Sequence, residues 1–462
     1  MKLKLHITTC LLAIFSAMNA STTVPSVIAT NQVCDISGSP YLVNGNVLLN
    51  QGLTVEVKPG VSIISSGQYK LTVNGILKAI GKADSVILIK GLSIYFSDSS
   101  VDFNPITFAG SQFKNCFFRS PYKSSSISAI ILDRTHLSID YCNFDSISYP
   151  IQGSGSGDSI NLFISNSIFH GDAFGYLIYG LRQKSFLSFT NNAVYNFGQI
   201  SLPEASIIQY CYFYGLRYYP CINDYGYARS STISCNYFKN GNYPYTPAID
   251  LSTSSSGGRH ISIQNNEFDS MQLFINMPCT YVATDTVEVT NNDFLYYTYK
   301  VVSYSSCFSG TGTYHNVDFT NNYWNTVDTT LIKNAIYDFR NNSKVPYKID
   351  FSNFKTSPVS NCWPLSPGDA PKKQNTGIGK SKKSISHFAI FPNPASSAVQ
   401  IETDLEGNLY CEITDITGRR VSINNINNTH SDIDVRALKP GIYYISLLNE
   451  KGDSYVLKFV KE

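Results

Sequence analysis

Between Phe113 and Trp324 the chain repeats a six-residue pattern: an apolar residue, any residue, Asn/Tyr/Cys, Asn/Cys/Ser, any residue, then Phe/Val/Trp. The third position falls nine times, at Asn115, Tyr141, Asn166, Asn191, Tyr210, Cys235, Asn265, Asn291 and Asn321. Steps between them run from 19 to 30 residues and cluster near 25. Short alternating runs at that period, without a helical stripe, predict a solenoid in which each repeat is one coil of chain.

Two columns flank the third position. Two residues before it lie Phe113, Ile139, Ile164, Phe189, Ile208, Ile233, Ile263, Val289 and Phe319. Three residues after it lie Phe118, Phe144, Phe169, Val194, Phe213, Phe238, Phe268, Phe294 and Trp324. Side chains alternate faces along a strand, so an odd offset of five between two inward columns demands a bend. Asparagine tolerates the left-handed backbone of such a bend. Stacked coil on coil, Asn192, Asn236, Asn266, Asn292 and Asn322 are placed to form an amide ladder. Cys116, Cys142, Ser167 and Cys211 occupy the same column as small buried residues.

Upstream, Val55 to Ile63 and Leu71 to Ala79 read as strand-turn-strand units of the first coils. Downstream of Trp324, Leu331, Ile332, Ala335 and Ile336 give a short helical stripe, and Lys348 to Phe354 returns to alternation. This reads as a last coil and a cap, which covers strand edges that would otherwise stay open. Pro364 to Ser384 is almost free of large apolar residues and reads as a linker. Short strands follow at Phe388–Phe391, Val399–Ile401, Tyr410–Thr414, Ile433–Val435, Ile442–Leu448 and Tyr455–Val460, the spacing of a small antiparallel sandwich.

The chain from about residue 35 to 360 resembles the right-handed parallel β-helix proteins that include pectate-lyase-like and other polysaccharide-active members. The end of the chain resembles the C-terminal sorting domain of the type IX secretion system. That resemblance rests on Phe391-Pro392-Asn393-Pro394-Ala395, on Asp415-Ile416-Thr417-Gly418-Arg419, on Leu438-Lys439-Pro440-Gly441-Ile442-Tyr443 and on the Lys458-Phe459-Val460-Lys461 ending. It implies recognition by the type IX machinery through Pro392, Asn393, Pro394, Gly418, Pro440, Gly441 and Tyr443. It further implies export from a Gram-negative bacterium, to the medium or to the outer cell surface, commonly with removal of the domain. An ordinary fibronectin-like adhesion module is the alternative.

Composition agrees with export. Lys2 and Lys4 precede the apolar run Leu11 to Phe15 and small residues ending at Ala20, the layout of a cleavable secretory signal. No stretch approaches the roughly 20 apolar residues of a transmembrane helix. Without that leader, 33 basic residues balance 33 acidic ones, which argues against a nucleic-acid partner. Eleven cysteines, none in a C-x-x-C pair, point away from zinc. Cys279 and Cys307 lie 14 and 16 residues past their third positions and are candidates for a disulfide between adjacent coils. The expected domains are a signal peptide (1–20), a capped β-helix (21–363), a linker (364–384) and the sorting sandwich (385–462), an all-β chain throughout.

Chemistry belongs on the outward columns. Four residues past the third position stand Arg119, Asp145, His170, Tyr195 and Tyr214 on successive coils. Tyrosine faces can stack on sugars while their hydroxyls hydrogen-bond, so this row is the candidate carbohydrate contact. A carboxylate beside an imidazole could also hold a proton carrier, and a solvated ion-pair ladder is the plain alternative. Glu288 with Asp318, and Glu267 with Asp293, form acid pairs on neighbouring coils. Their backbone spacing of roughly 5 Å suits retaining glycosidase chemistry or a shared calcium ion, but turns that bend such pairs apart into solvent are the favoured reading, and neither pair is assigned a catalytic role. No other cofactor or metal is implied. The chain lacks the Asn-Thr-Asp, Gly-His-Gly and Arg-Ile-Lys motifs of polygalacturonases and the Asp cluster of pectate lyases, so the resemblance extends to fold and not to an active site. The sequence therefore favours a noncatalytic surface module that binds glycan or protein. A polysaccharide lyase or glycoside hydrolase with an unrecognised site is the alternative.

Overall fold

The computed structural model describes residues 21–120, 128–154, 159–171, 175–196, 198–215, 219–241, 246–251, 258–277, 284–304, 314–359, 362, 388–403, 409–415, 420–426, 430–449 and 454–462. The signal segment, the linker, Gly418 and the pair Cys279 and Cys307 lie outside the described residues.

Residues 22–350 form a parallel β-helix. One face is a sheet of thirteen stacked strands, and twenty-one further strands build the remaining faces. Long strands such as Ile87–Phe96 and Glu267–Met277 bend so that each pairs with two successive strands of a neighbouring coil. Pairing is in register: Phe113 lies beside Ile139, Ile139 beside Ile164, and Phe118 beside Phe144. The stack begins earlier than the alternation suggests, since Thr22–Thr23 already pairs with the strand Tyr41–Val43.

The repeat works as its residue types require. All nine third positions have positive φ, from 48° at Asn115 to 60° at Asn321. Tyr141, Tyr210 and Cys235 adopt it as well, against the usual preference of residues with a Cβ. In the aromatic column, Phe118 stacks on Phe144 at 4.5 Å and 1°, and Phe144 on Phe169 at 4.8 Å. Val194 interrupts the stack, and Phe189 from the facing column fills the gap, 5.8 Å from Phe169 and 6.3 Å from Phe213.

The amide ladder forms in the bend. Asn266 Oδ1 accepts from the Asn236 amide N–H at 2.9 Å and from Asn236 Nδ2 at 3.0 Å. Asn266 Nδ2 donates to the Ile233 carbonyl at 2.8 Å and to Asn292 Oδ1 at 3.0 Å. Asn292 repeats the arrangement toward Asn322. Asn266, Asn292 and Asn322 are fully buried, so each bond is made where water cannot replace it. Asn266→Ala is expected to lower stability by about 2 kcal/mol, the cost of stranding buried donors and an acceptor. A urea midpoint equal to that of the parent would show that solvent enters the bend without penalty.

The C-terminal end is closed by the helix Thr329–Ala335, which Asp328 caps by accepting from the Thr330 amide at 2.7 Å. Ile332 and Ala335 pack inward, whereas Leu331 of the same stripe is 51% exposed. Seven strands of the last segment form two antiparallel sheets, three strands in one and four in the other, around Val399, Ile401, Cys411, Ile413, Ile445 and Phe459. One strand, Arg420–Ile426, was not evident from the alternation because Asn424 and Asn425 interrupt its apolar residues. Tyr443 lies against Phe459 and donates its hydroxyl to the Lys439 carbonyl at 2.9 Å. Asn393 grips the closing strand through Lys458 and Val460. These motif residues therefore hold the sandwich together.

Candidate functional site

The outward row is assembled by sheet register. Arg119 pairs with Asp145, Asp145 with His170, His170 with Tyr195, Tyr195 with Tyr214, and Tyr214 with Lys239. The Arg119 guanidinium lies 3.7 Å from the Asp145 carboxylate, and Arg119 is more than half exposed. His170 and Tyr195 are stacked on each other at 4.8 Å and 10°. The ring faces expected from sequence to be open are therefore used on each other within the stack. At the far end Lys239 is 2.9 Å from Asp269, and the Tyr237 hydroxyl joins both. Burial works against the Asp269 charge. The bonds from Lys239, Ser270 and Tyr237 outweigh it and hold this carboxyl below its usual range. The row is therefore aromatic in the middle and ion-paired at both ends.

Beside it runs a column that sequence reasoning left to solvent. Ile168, Ala193 and Tyr212 point away from the coil interior and are nevertheless buried, packed with Tyr195, Tyr214 and Tyr237. Tyr212 stacks on Tyr237 at 5.5 Å and meets Tyr195 edge-on at 5.8 Å. The density of tyrosine around Tyr210 signalled this cluster. The column assignment alone could not show that the rings would pack on one another.

The two acid pairs fare differently. Glu288 lies beside Asp318 on the thirteen-stranded face, with Asp318 exposed. Its Oδ1 accepts from the Thr320 amide at 2.8 Å. Glu267 lies beside Asp293, but Asp293 is buried and its Oδ1 accepts from the Val359 amide at 2.7 Å. This pair does not bend apart into solvent. Burial, and then the neighbouring Asp293 and Asp269, push the Glu267 carboxyl above its ordinary range.

Val359 belongs to a strap that the sequence did not announce. After the last coil, the Lys355 amide donates to the Asn322 carbonyl, Val359 reaches Asp293, and Cys362 forms a disulfide with Cys235. Asn322, Asp293 and Cys235 sit at successively earlier coils, so the chain runs back along the line of bends. Cys34, Cys116, Cys142, Cys211 and Cys221 are free thiols. Cys116, Cys142 and Cys211, the positions read as core, are buried, and so is Cys411 in the sandwich.

Among the described residues no group of His, Cys, Asp and Glu is arranged to hold a metal ion. No described helix is long and apolar enough to cross a membrane.

Comparison with solved structures includes the tailspike protein of the Acinetobacter phage vB_ApiP_P1, at 12% identity and a TM-score of 0.19, covering 88% of this chain and 73% of that one. No curated protein matches the chain. Residues 389–462 match the family described as the secretion system C-terminal sorting domain. The chain is thus a parallel β-helix carrying a type IX sorting domain at its end, and it is a secreted protein of the cell surface or the extracellular medium.

Proposed function

We propose that the β-helix is a noncatalytic binding module, displayed at the cell surface, whose outer flank holds an extended glycan. The observation that supports this reading is the in-register row Arg119, Asp145, His170, Tyr195 and Tyr214. It repeats polar and aromatic side chains at the strand spacing of roughly 4.8 Å, along the axis on which a linear polymer would lie. Arginine and tyrosine edges suit sugar hydroxyls, and the packed rings hold those edges in place without loss of side-chain freedom on binding. On the same reading the leader is cleaved after Ala20, and the sorting domain is removed once the type IX machinery has used it.

The test is retention of the mature chain by a panel of neutral and acidic polysaccharides, with new reducing ends counted in parallel, with and without calcium. Saturable retention without release of reducing ends is expected, weakened about tenfold in Tyr214→Ala, equivalent to ~1.4 kcal/mol. Sustained release, abolished by Asp145→Asn or His170→Ala, would replace the binding reading with a lyase or hydrolase.

A further inference from the structure

The capped end carries a second concavity, separate from the flank. The loop and strand at Tyr296, Tyr297 and Tyr299 face the start of the cap at Asn325 and Thr326 and the cap helix at Leu331 and Asn334, leaving an open groove of about 410 Å³. That volume falls in the ~300–1,000 Å³ range of small-ligand sites. Its walls are unusual for a solvent-facing end. Tyr296 is 68% exposed, Tyr299 is 45% exposed and Leu331 is 51% exposed. Tyr297 is fixed edge-on against Phe274, 6.0 Å away.

Two features narrow the ligand. The groove is lined by phenol, amide, hydroxyl and hydrocarbon groups, with no carboxylate, ammonium or guanidinium among the lining residues. Tyr297 is a neutral phenol at neutral pH like any tyrosine, and burial raises its pKa further. The nearby Lys300 ammonium is engaged by the Asn334 carbonyl. A charged ligand would find no ion-pair partner among the lining residues themselves. Trp324 contributes to the lining and is itself fully buried, and its indole Nε1–H meets no acceptor among the described residues.

Exposed tyrosines, amide side chains beside them and no charged group among the lining residues together describe a recognition site for sugar. We propose that this groove binds a short neutral saccharide, with Tyr296 and Tyr299 as stacking platforms and Asn325, Thr326 and Asn334 as hydroxyl partners. The site is independent of the flank, shares no residue with it, and stands or falls separately.

Calorimetry of the full mature chain with cello-, manno- and xylo-oligosaccharides tests it, with oligogalacturonate as the charged comparison. At least one neutral oligosaccharide is expected to bind with a stoichiometry near one, and oligogalacturonate is expected to bind at least tenfold more weakly. Tyr296→Ala, whose side chain is mostly in solvent, should weaken the neutral ligand about tenfold or more at an unchanged unfolding temperature. Asn334→Ala gives a second, folded variant with a smaller loss. No binding by any neutral oligosaccharide, tighter binding of oligogalacturonate, or binding unaffected by both substitutions would overturn the assignment. Loss of polymer retention in Tyr214→Ala bears on the flank alone.

Discussion

Arg259→Ala is expected to destabilise the β-helix by about 3–5 kcal/mol, the range for removing one partner of a buried ion pair. Arg259 is 1% exposed, with its guanidinium 3.4 Å from Asp224 and 3.7 Å from Asp285. Both carboxylates are themselves buried. Asp224 also accepts from the Gly226 and Ala228 amides, and Asp285 Oδ1 from the Arg259 amide. Without the guanidinium, two buried carboxylates would face each other's field with no cation between them. Replacing the whole cluster, as Arg259→Met with Asp224→Asn and Asp285→Asn, should cost less than Arg259→Ala alone, because no unpaired charge remains.

The pH dependence of that variant follows from Asp224. Burial raises its carboxyl pKa, and the Ala228 amide and Arg259 only partly offset this. A carboxyl raised in the folded state contributes stability below its unfolded pKa and loses it as pH rises through the folded one. Removing Arg259 takes away an offsetting charge, so the deficit should be largest at neutral pH and shrink on acidification. Urea midpoints at neutral and mildly acidic pH measure both effects. A neutral-pH loss under about 1 kcal/mol would contradict the account.

Cys362→Ser is expected to cost about 5 kcal/mol, by the loop-entropy argument for a crosslink of this span. The bond joins residues 127 apart in sequence, which makes it a strong restraint on the unfolded chain. It also seats Val359 on Asp293, so the Val359 amide should exchange faster in the variant. The same shift in midpoint should follow treatment of the parent with reductant. The free thiols do not contribute to that response. Burial lifts the Cys211 thiol to about 12, leaving almost no thiolate to react. Identical midpoints for oxidised and reduced protein would show that the strap holds without its covalent bond.

How far sequence reached depended on how local each rule is. The columns, the left-handed third positions and the amide ladder follow from alternation and bend chemistry, and they could be read residue by residue. The row from Arg119 to Tyr214 was legible for the same reason. The mutual stacking of His170 and Tyr195 was not, because side-chain torsions rather than register decide it. Arg259 and Asp285 each stand six residues before a third position, 26 residues apart on adjacent coils, so the repeat could have paired them, whereas Asp224, 35 residues from Arg259, lies off that column and no periodicity brings it in. A second line of left-handed residues, including Ser146, Asn196, Asn240 and Ser270, was likewise hidden. It falls beyond the six-residue motif, where Ser and Gly vary with Asn. The groove at the cap needed three segments to converge, and only Leu331 hinted at it, as an apolar residue counted toward a buried stripe.

The disulfide also sets where mechanical force enters the molecule. A pull on the sorting domain during passage through a secretion pore, or on a surface-anchored C-terminus afterwards, travels along the backbone to Cys362 and crosses to Cys235. The coils beyond Cys235 and the cap helix then lie outside the load path. Tension spreads into the coil at Cys235 and its paired neighbours instead of peeling the last strand from the end. The end of the solenoid, where unzipping would otherwise begin, is spared the strain of its own tether.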